Sequence, residues 1–253
     1  MSVSWGPDVA YYFFLIFARL GTILMLLPAL GESTIPTRLR LTFALAFSLI
    51  LYPLILPNLG AVPVTLGGLM TALGHELAVG FILGGLTRLI LTAAQVAGAV
   101  IAFQMGLSMA QTSDPTQPGV QGAIIGNFLA MLGVTLIFAT DLHHVLLAGI
   151  YASYSYFPPD APLMLGDAAE MATEMVAQAF LIGTQMSAPF LVFGLVFYLG
   201  LGILRRLMPQ IQVFFMAMPA NIIIGLILFA LLLSLTMTLY MTHLEDHFSQ
   251  FLG

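Results

Sequence analysis

Few side chains of this chain could take part in chemistry, and the first group lies inside apolar stretches. It comprises Arg19, His75, Glu76 and Arg88. A charge at membrane depth is costly, and it usually has a partner or faces water. Such residues could pair between helices, or they could couple transport to an ion. Glu76 and Arg88 lie about three helical turns apart, too far for a local pair, so we expect structural or interhelical pairing.

A second group, Asp141, His143 and His144, lies in another apolar stretch. Histidine and aspartate can relay protons, and both can bind metal ions. Residues at this spacing on one helix are expected to supply at most two ligands to a metal ion. We therefore expect a polar buried face or an interface at this position.

A third group near the C-terminal end is predicted to be a solvated helix cap: His243, Glu245, Asp246 and His247. The sequence contains no phosphate-binding loop, nucleophile elbow, zinc-protease motif or dinucleotide fingerprint. It contains no cysteine, which excludes disulfides and thiolate ligands. We expect neither an enzyme nor a metal or cofactor site.

Composition places the chain in an apolar environment. Of its 253 residues, 60% are hydrophobic and 7% are charged, and the mean hydropathy is +1.05. Soluble domains carry about 25% charged residues, so this chain must face lipid or other apolar chains. The net charge is −5 and no lysine is present, which excludes a basic surface for nucleic acid.

Breakers divide the chain into six apolar segments, each long enough to cross a bilayer. Helices are expected because lipid cannot satisfy open backbone groups, and the alternation of a barrel strand is absent. The fold class is therefore an all-α, membrane-type protein of about six long helices or helical hairpins. The segments are 9–30, 40–57, 69–106, 123–157, 170–204 and 212–243.

The third segment is longer than a bilayer requires. A helix over 69–106 would measure about 55 Å, against about 30 Å of hydrocarbon. It either breaks near its glycines or leaves the bilayer and packs on protein. Small residues four apart, such as Gly80 and Gly84 or Ala93 and Ala97, indicate ordinary close helix packing.

Arginines between segments indicate the orientation of the chain. Arg38 and Arg40 lie in the first connection, and Arg205 and Arg206 lie in the fifth. With six spans both connections fall on one side, which the positive-inside rule makes cytoplasmic.

One polar interruption, residues 106–122, divides the apolar chain. Asp114-Pro115 and Gln117-Pro118-Gly119 cannot continue a helix. The interruption is either a cytoplasmic loop or a loop that fills a pore, since irregular backbone at membrane depth must be buried in protein or line water. Its lack of Lys and Arg suits a plug. The loop comprises Gly106, Leu107, Ser108, Met109, Ala110, Gln111, Thr112, Ser113, Asp114, Pro115, Thr116, Gln117, Pro118, Gly119, Val120, Gln121 and Gly122.

Methionines flank this loop and a second proline-bearing stretch. Flexible thioethers can line a deformable constriction, so these side chains are candidates to line a gate. They are Met105, Met208, Met216 and Met218.

Three stretches resemble the FliR family of flagellar export-gate proteins, which includes relatives in virulence type III secretion. They are IAFQMGLSMAQTSDP (101–115), LRRLMPQIQVFFMAMPANIIIG (204–225) and PALGESTIPTRLRLTFALAFSLI (28–50). The resemblance implies one FliR-like domain over 1–253, with helical parts 1–105 and 123–253 on either side of a pore-plug loop at 106–122. It favours the flagellar system over the injectisome.

The same resemblance implies partners and a location. The expected partners are FliP-like and FliQ-like subunits, in about five and four copies to one of this chain, together with FlhB-like and FlhA-like components. Unfolded proteins are the expected cargo, and membrane lipid is a further contact. The gate is expected in the bacterial inner membrane, in the flagellar basal body, partly raised toward the periplasm. Gly106, Gly119 and Gly122 are then candidate hinges of the plug, and Asp114 is a candidate anchor.

An alternative function is a secondary transporter for a small solute or ion. Transporters combine broken helices in two halves with buried charges near the midplane. Arg19, Glu76, Arg88 and Asp141 could serve that role, but the six segments show no clear inverted repeat.

Overall fold

The regular elements of the described residues are all helical. The structure, a computed structural model, describes residues 6–27, 30–31, 35–107, 123–159, 161, 165–208 and 213–250. The helices are α1 (Pro7–Leu26), α2 (Thr37–Ile55), α3 (Leu66–Gln104), α4 (Ala123–Ala139), α5 (Leu142–Tyr156), α6 (Leu165–Leu207) and α7 (Val213–Gln250), with a 3₁₀ turn at Leu56–Asn58.

The predicted plan of about six apolar helical segments is confirmed. Five helices, α1, α2, α3, α6 and α7, are long and apolar enough to cross a membrane. The pair α4 and α5 forms a sixth candidate span, bent by 80° at its break. The all-α, membrane-type fold class therefore holds.

The predicted fourth segment differs from the structure because it is broken at Asp141. This residue has φ 60°, in the left-handed region. Aspartate visits that region more readily than most residues because its short polar side chain can bond locally. The chain turns there, and the backbone N–H of His144 donates to the Asp141 carbonyl at 3.0 Å. One long apolar pattern thus yields two short helices.

The third segment is one unbroken helix, so the predicted alternative of a break at its glycines is wrong. Helix α3 has 39 residues and measures about 58 Å at 1.5 Å per residue. Helices α6 and α7 have 43 and 38 residues and continue through Pro189 and Pro219. All three exceed the roughly 30 Å of a bilayer core.

The chain divides into two compact units, and the first comprises residues 1–90, 140–175 and 247–253. Its apolar core joins α1, α2 and α5 through side chains such as Leu20, Ile55 and Ile150. Helix α3 approaches α1 closely through glycines. A Cβ on Gly80 would lie 2.8 Å from the Arg19 carbonyl oxygen, and one on Gly84 would lie 2.8 Å from Leu26 Cβ.

The second unit comprises residues 91–139 and 176–246. Helices α3 and α4 touch where Gly98 meets Gly126, and a Cβ on Gly98 would overlap the backbone of Gly126. Helix α6 reaches α3 at Gly183, whose Cβ would lie 3.0 Å from the Ala93 carbonyl oxygen. Ala93 and Ala97 are fully buried. The predicted close packing through small residues is therefore confirmed in both units.

Much apolar surface remains uncovered within the chain. In the most apolar 18-residue stretch of each helix, 17% is buried in α6 and in α7, against 44% in α3. Large exposed side chains include Leu49 on α2, Val196 on α6 and Leu231 on α7, at 65%, 64% and 74% exposure. A surface of this kind is stable only against lipid or other apolar protein surfaces.

Candidate functional site

The described part of the predicted plug loop begins where α3 ends. The backbone N–H of Met105 still bonds to the Ile101 carbonyl at 2.9 Å, and that of Gly106 bonds to the Phe103 carbonyl at 3.0 Å. Gly106 has φ +74°, a left-handed conformation that closes a helix and suits glycine. Residues 108–122 lie outside the described residues. The chain therefore enters the loop through a tight glycine turn.

Asn221 of α7 holds this end of α3. Its Nδ2 donates a hydrogen bond to the Gln104 carbonyl at 3.2 Å, satisfying one of the carbonyls that a helix end leaves open. Asn221 is 3% exposed. A Cβ on Gly106 would lie 2.9 Å from its Nδ2, so Gly106 is required both for its φ and for this approach.

Two further glycines, one on α6 and one on α7, leave space for the same turn of α3. A Cβ on Gly225, one turn beyond Asn221 on α7, would lie 2.6 Å from Met105 Cγ. A Cβ on Gly194 of α6 would overlap Oε1 of the Gln104 carboxamide. We call Gly194, Asn221 and Gly225 the clamp. Together they fix the backbone and the side chains at the end of α3.

Sequence reasoning missed the clamp, although one signal was present. Asn221 is the only polar side chain between residues 217 and 233. A lone amide in such an apolar run is costly unless it is hydrogen-bonded, and this cost marks it as a residue with a specific partner. Gly194 and Gly225 could not be singled out among the 24 glycines.

The four methionines proposed to line a gate have different surroundings. Met105 is fully buried and packs against Gly225. Met208 and Met216 are exposed, at 46% and 72%, and Met218 is half-buried. Exposed thioethers at these positions are available to neighbouring molecules, whereas Met105 is committed to packing within the second unit.

The arginines used for orientation lie at helix ends. Arg38 is exposed in the first turn of α2, and Arg205 and Arg206 are exposed in the last turn of α6. Cations at a helix C-terminus interact favourably with its macrodipole. Arg40 is half-buried and donates to the Gly31 carbonyl at 3.3 Å. It therefore also ties the start of α2 to the connection that precedes it.

The expected interhelical pairing of buried charges is found, with Arg19 and Glu76 as the partners. Arg19 Nε and Nη2 donate to the two carboxylate oxygens of Glu76, each at 2.7 Å. Both side chains are fully buried. Arg88, the other charge inside an apolar stretch, is exposed on α3.

Arg19 also binds the end of α5. Its Nη1 donates to the Ser153 carbonyl at 3.1 Å, and its Nη2 donates to the Phe157 carbonyl at 2.8 Å. Its guanidinium lies 4.0 Å from the centre of the Tyr154 ring, a cation–π distance. One arginine thus joins α1, α3 and α5 in the first unit, which is a structural role.

The Asp141, His143 and His144 group differs from the expected buried face. Asp141 and His144 side chains are 79% and 69% exposed, and His144 Nδ1 lies 3.7 Å from Asp141 Oδ1. The left-handed turn gathers one potential ligand atom of each residue within 4.8 Å of the others. The expectation of at most two convergent ligands, which assumed one continuous helix, is therefore wrong.

The predicted solvated cap at the C-terminal end is correct only in part. Glu245 and Asp246 are exposed, and His243 is half-buried with its Nε2 3.0 Å from Gln185 Oε1. His247 is buried at 7% exposure, because it falls on the face of α7 that also carries the buried residues Leu244 and Phe248.

Comparisons with known proteins agree along nearly the whole chain. Residues 10–248 match the family model described as bacterial export proteins, family 1. The chain is 46% identical to the flagellar biosynthetic protein FliR of Caulobacter vibrioides, over 87% of each chain. It is 31% identical to FliR of Bacillus subtilis, over 90% of this chain and 88% of that one. It is also 24% identical to Yop proteins translocation protein T of Yersinia pestis, over 93% and 88%.

Proposed function

Since the chain belongs to family 1 of the bacterial export proteins, we propose that it is a channel subunit of the flagellar type III protein export gate. At the coarser level it is a membrane-embedded component of a type III export apparatus. In our proposal it helps to form the pore through which unfolded proteins cross the inner membrane, and its loop 106–122 plugs that pore at rest.

The observation that carries the plug proposal is the way the chain enters the loop. Here Gly106 has a left-handed φ, and Asn221 bonds to the Gln104 carbonyl just before it. This fixed exit supports a loop that must occupy one place in an assembly.

The uncovered apolar surface supports assembly with other subunits. Helices of 38 to 43 residues are longer than a bilayer core requires, so part of their surface needs protein contacts. In our proposal FliP-like and FliQ-like subunits supply those contacts, lipid covers the remainder, and FlhB-like and FlhA-like components act beside the gate.

The transporter alternative is weakened by the surroundings of its candidate residues. Arg19 donates to both carboxylate oxygens of Glu76 and to the Ser153 and Phe157 carbonyls, which leaves this buried pair no free role in ion binding. Arg88 and Asp141 are exposed. A transporter would instead gather such charges around a central cavity.

Deletion of residues 110–118 tests the proposal in cells that make the whole export apparatus. The measurements are ion leak across the inner membrane, co-purification of the other gate subunits, and secretion of export substrates. A matched control replaces residues 61–64, in the described connection between α2 and α3, with glycine and serine.

A plug predicts ion leak together with retained assembly for the deletion and no leak for the control. Unchanged conductance with normal secretion would refute the plug. A chain that is stable when purified alone, and that moves a small solute, would favour the transporter.

A further inference from the structure

Three side chains that can bind a metal ion converge at the start of α5, within the first unit. They are Asp141, His143 and His144, and one potential ligand atom of each lies within 4.8 Å of the others. Adjacent residues of a regular helix do not face each other, yet the rings of His143 and His144 lie 4.1 Å apart, centre to centre. The left-handed turn at Asp141 places its carboxylate beside these rings.

The carboxylate of Asp141 does not cap the helix that it precedes. An aspartate at a helix N-cap normally has an extended backbone, and its side chain accepts a hydrogen bond from a backbone N–H of the first turn. Asp141 occupies the N-cap of α5 with a left-handed backbone and makes no such side-chain bond. Its Oδ1 lies 3.7 Å from His144 Nδ1, which is too far for a direct hydrogen bond. Its oxygens are therefore available as ligands.

The spacing of these atoms fits a shared ion. Zinc binds imidazole nitrogen and carboxylate oxygen at about 2.1 Å, so two ligands of a tetrahedral ion lie roughly 3.4 Å apart. The 3.7 Å between Asp141 Oδ1 and His144 Nδ1 is close to that separation. Ligand atoms that lie further apart, within the 4.8 Å limit, need to approach by about 1.4 Å at most. Exposed side chains can make such a shift by rotating about their side-chain bonds.

We propose that Asp141, His143 and His144 bind one divalent transition-metal ion of the zinc class. Two imidazoles and a carboxylate suit zinc, nickel or copper, whereas calcium and magnesium prefer oxygen ligands. Three protein ligands leave a coordination position that water can fill. The sequence led us to expect no metal site, because these residues were placed on one continuous helix; the turn at Asp141 changes that expectation.

In this proposal the ion holds the start of α5 in place. The other end of α5 is already fixed, since Arg19 donates to the carbonyls of Ser153 and Phe157. The helix macrodipole disfavours a cation at a helix start, so the negative charge of Asp141 is the most important ligand. A carboxylate and imidazoles also avoid hydrocarbon. The turn therefore faces water or a polar protein surface, from which an ion can enter.

The sharpest test is Asp141→Asn. Asparagine adopts the left-handed region as aspartate does, so the turn is kept and the carboxylate is lost. A second variant, His144→Gln, removes one imidazole from an exposed position. The matched control is Asp167→Asn, which removes an exposed carboxylate from the first turn of α6, in the same unit. Each full-length chain carries no histidine tag and is purified from membranes in detergent, together with the subunits that accompany it.

The measurement is the zinc content per copy of the chain. Each preparation is stripped with a chelator, equilibrated with micromolar zinc chloride, desalted and analysed by mass spectrometry for metals, and a zinc titration gives the affinity. We expect wild type and Asp167→Asn to retain one more zinc ion per copy than Asp141→Asn and His144→Gln. The affinity of both ligand variants should fall at least roughly ten-fold, because even a change in a residue that only supports a ligand typically costs that factor.

Equal zinc content in wild type and both ligand variants would overturn the site, as would binding to wild type at millimolar zinc only. If neither ligand variant can be purified, a density map of the zinc-treated wild type decides. An ion between Asp141, His143 and His144 supports the site, and a map without one overturns it. None of these measurements involves the plug, so failure of the metal site leaves the proposed function unaffected.

Discussion

Removal of Glu76 from its buried pair with Arg19 should be among the most damaging single changes in the first unit. The substitution Glu76→Leu leaves a fully buried guanidinium without its carboxylate. Breaking a buried pair in this way costs about 3–5 kcal/mol. Arg19 keeps the Ser153 and Phe157 carbonyls, but neutral carbonyls replace a charged partner only in part.

The double substitution Arg19→Met with Glu76→Leu should be less damaging than Glu76→Leu alone. Exchanging a buried ion pair for apolar side chains is often nearly neutral. The remaining cost is that the carbonyl of Phe157 loses its donor, about 1–3 kcal/mol for a buried group. Because each single change leaves one buried charge unpaired, at about 3–5 kcal/mol, the pair should show a coupling energy of at least about 3 kcal/mol in a double-mutant cycle.

The assay is guanidinium titration of the purified gate complex, compared among wild type, the two single variants and the double variant. Glu170→Gln is the control, since Glu170 is exposed on α6 and its change should stay within about 0.5 kcal/mol. A well-tolerated Glu76→Leu, or a double variant as unstable as the sum of the singles, would refute a structural ion pair.

Three further changes test other parts of the structure. Gly98→Val should prevent assembly, because the valine side chain would overlap the backbone of Gly126. Gly149→Ala should be neutral, since a Cβ there meets no atom within 4 Å. The yield of purified complex distinguishes the two variants. Arg88→Leu should weaken subunit association, because an exposed charge in an apolar helix needs a polar partner in the assembly. The measurement is co-purification of the other gate subunits, and unchanged recovery of those subunits would count against such a partner. Gly106→Ala should raise the resting ion leak of the proposed gate, because alanine is strained at φ +74° and its Cβ would lie 2.9 Å from Asn221 Nδ2. An unchanged resting conductance would show that this turn does not contribute to the seal.

The number and type of elements could be predicted from the sequence because lipid imposes strong rules. Apolar runs near 20 residues must be helices, and the prolines and glycines between them place the connections to within a few residues. The predicted first segment ran to residue 30, whereas α1 ends at Leu26. Such boundary errors are expected, because the last turn of a helix is decided by local capping.

The break at Asp141 could not be predicted because it depends on one backbone conformation. The apolar runs on both sides suit a continuous helix, and the short polar stretch between them, residues 140–144, does not by itself specify a left-handed turn at Asp141. The opposite error arose in α3, where glycines suggested a break. Those glycines instead allow neighbouring helices to pack closely, as Gly80 does with α1, and α3 stays continuous.

The partners of the charged and polar residues were the least predictable part of the site. Arg19 and Glu76 are 57 residues apart, and Asn221 and Gln104 are 117 apart. Tertiary packing decides which distant helices meet, and a single sequence carries little information on it. The kind of pairing could be expected for Arg19 from the cost of a buried charge, but its partner could not.

A density map of the assembled gate is the most direct test of the central claim that residues 106–122 close the pore. The account predicts that this segment fills the lumen, entered through Gly106 with the Asn221 bond to Gln104 in place. A map that puts the segment in open solvent on the cytoplasmic side, away from any lumen, would contradict it.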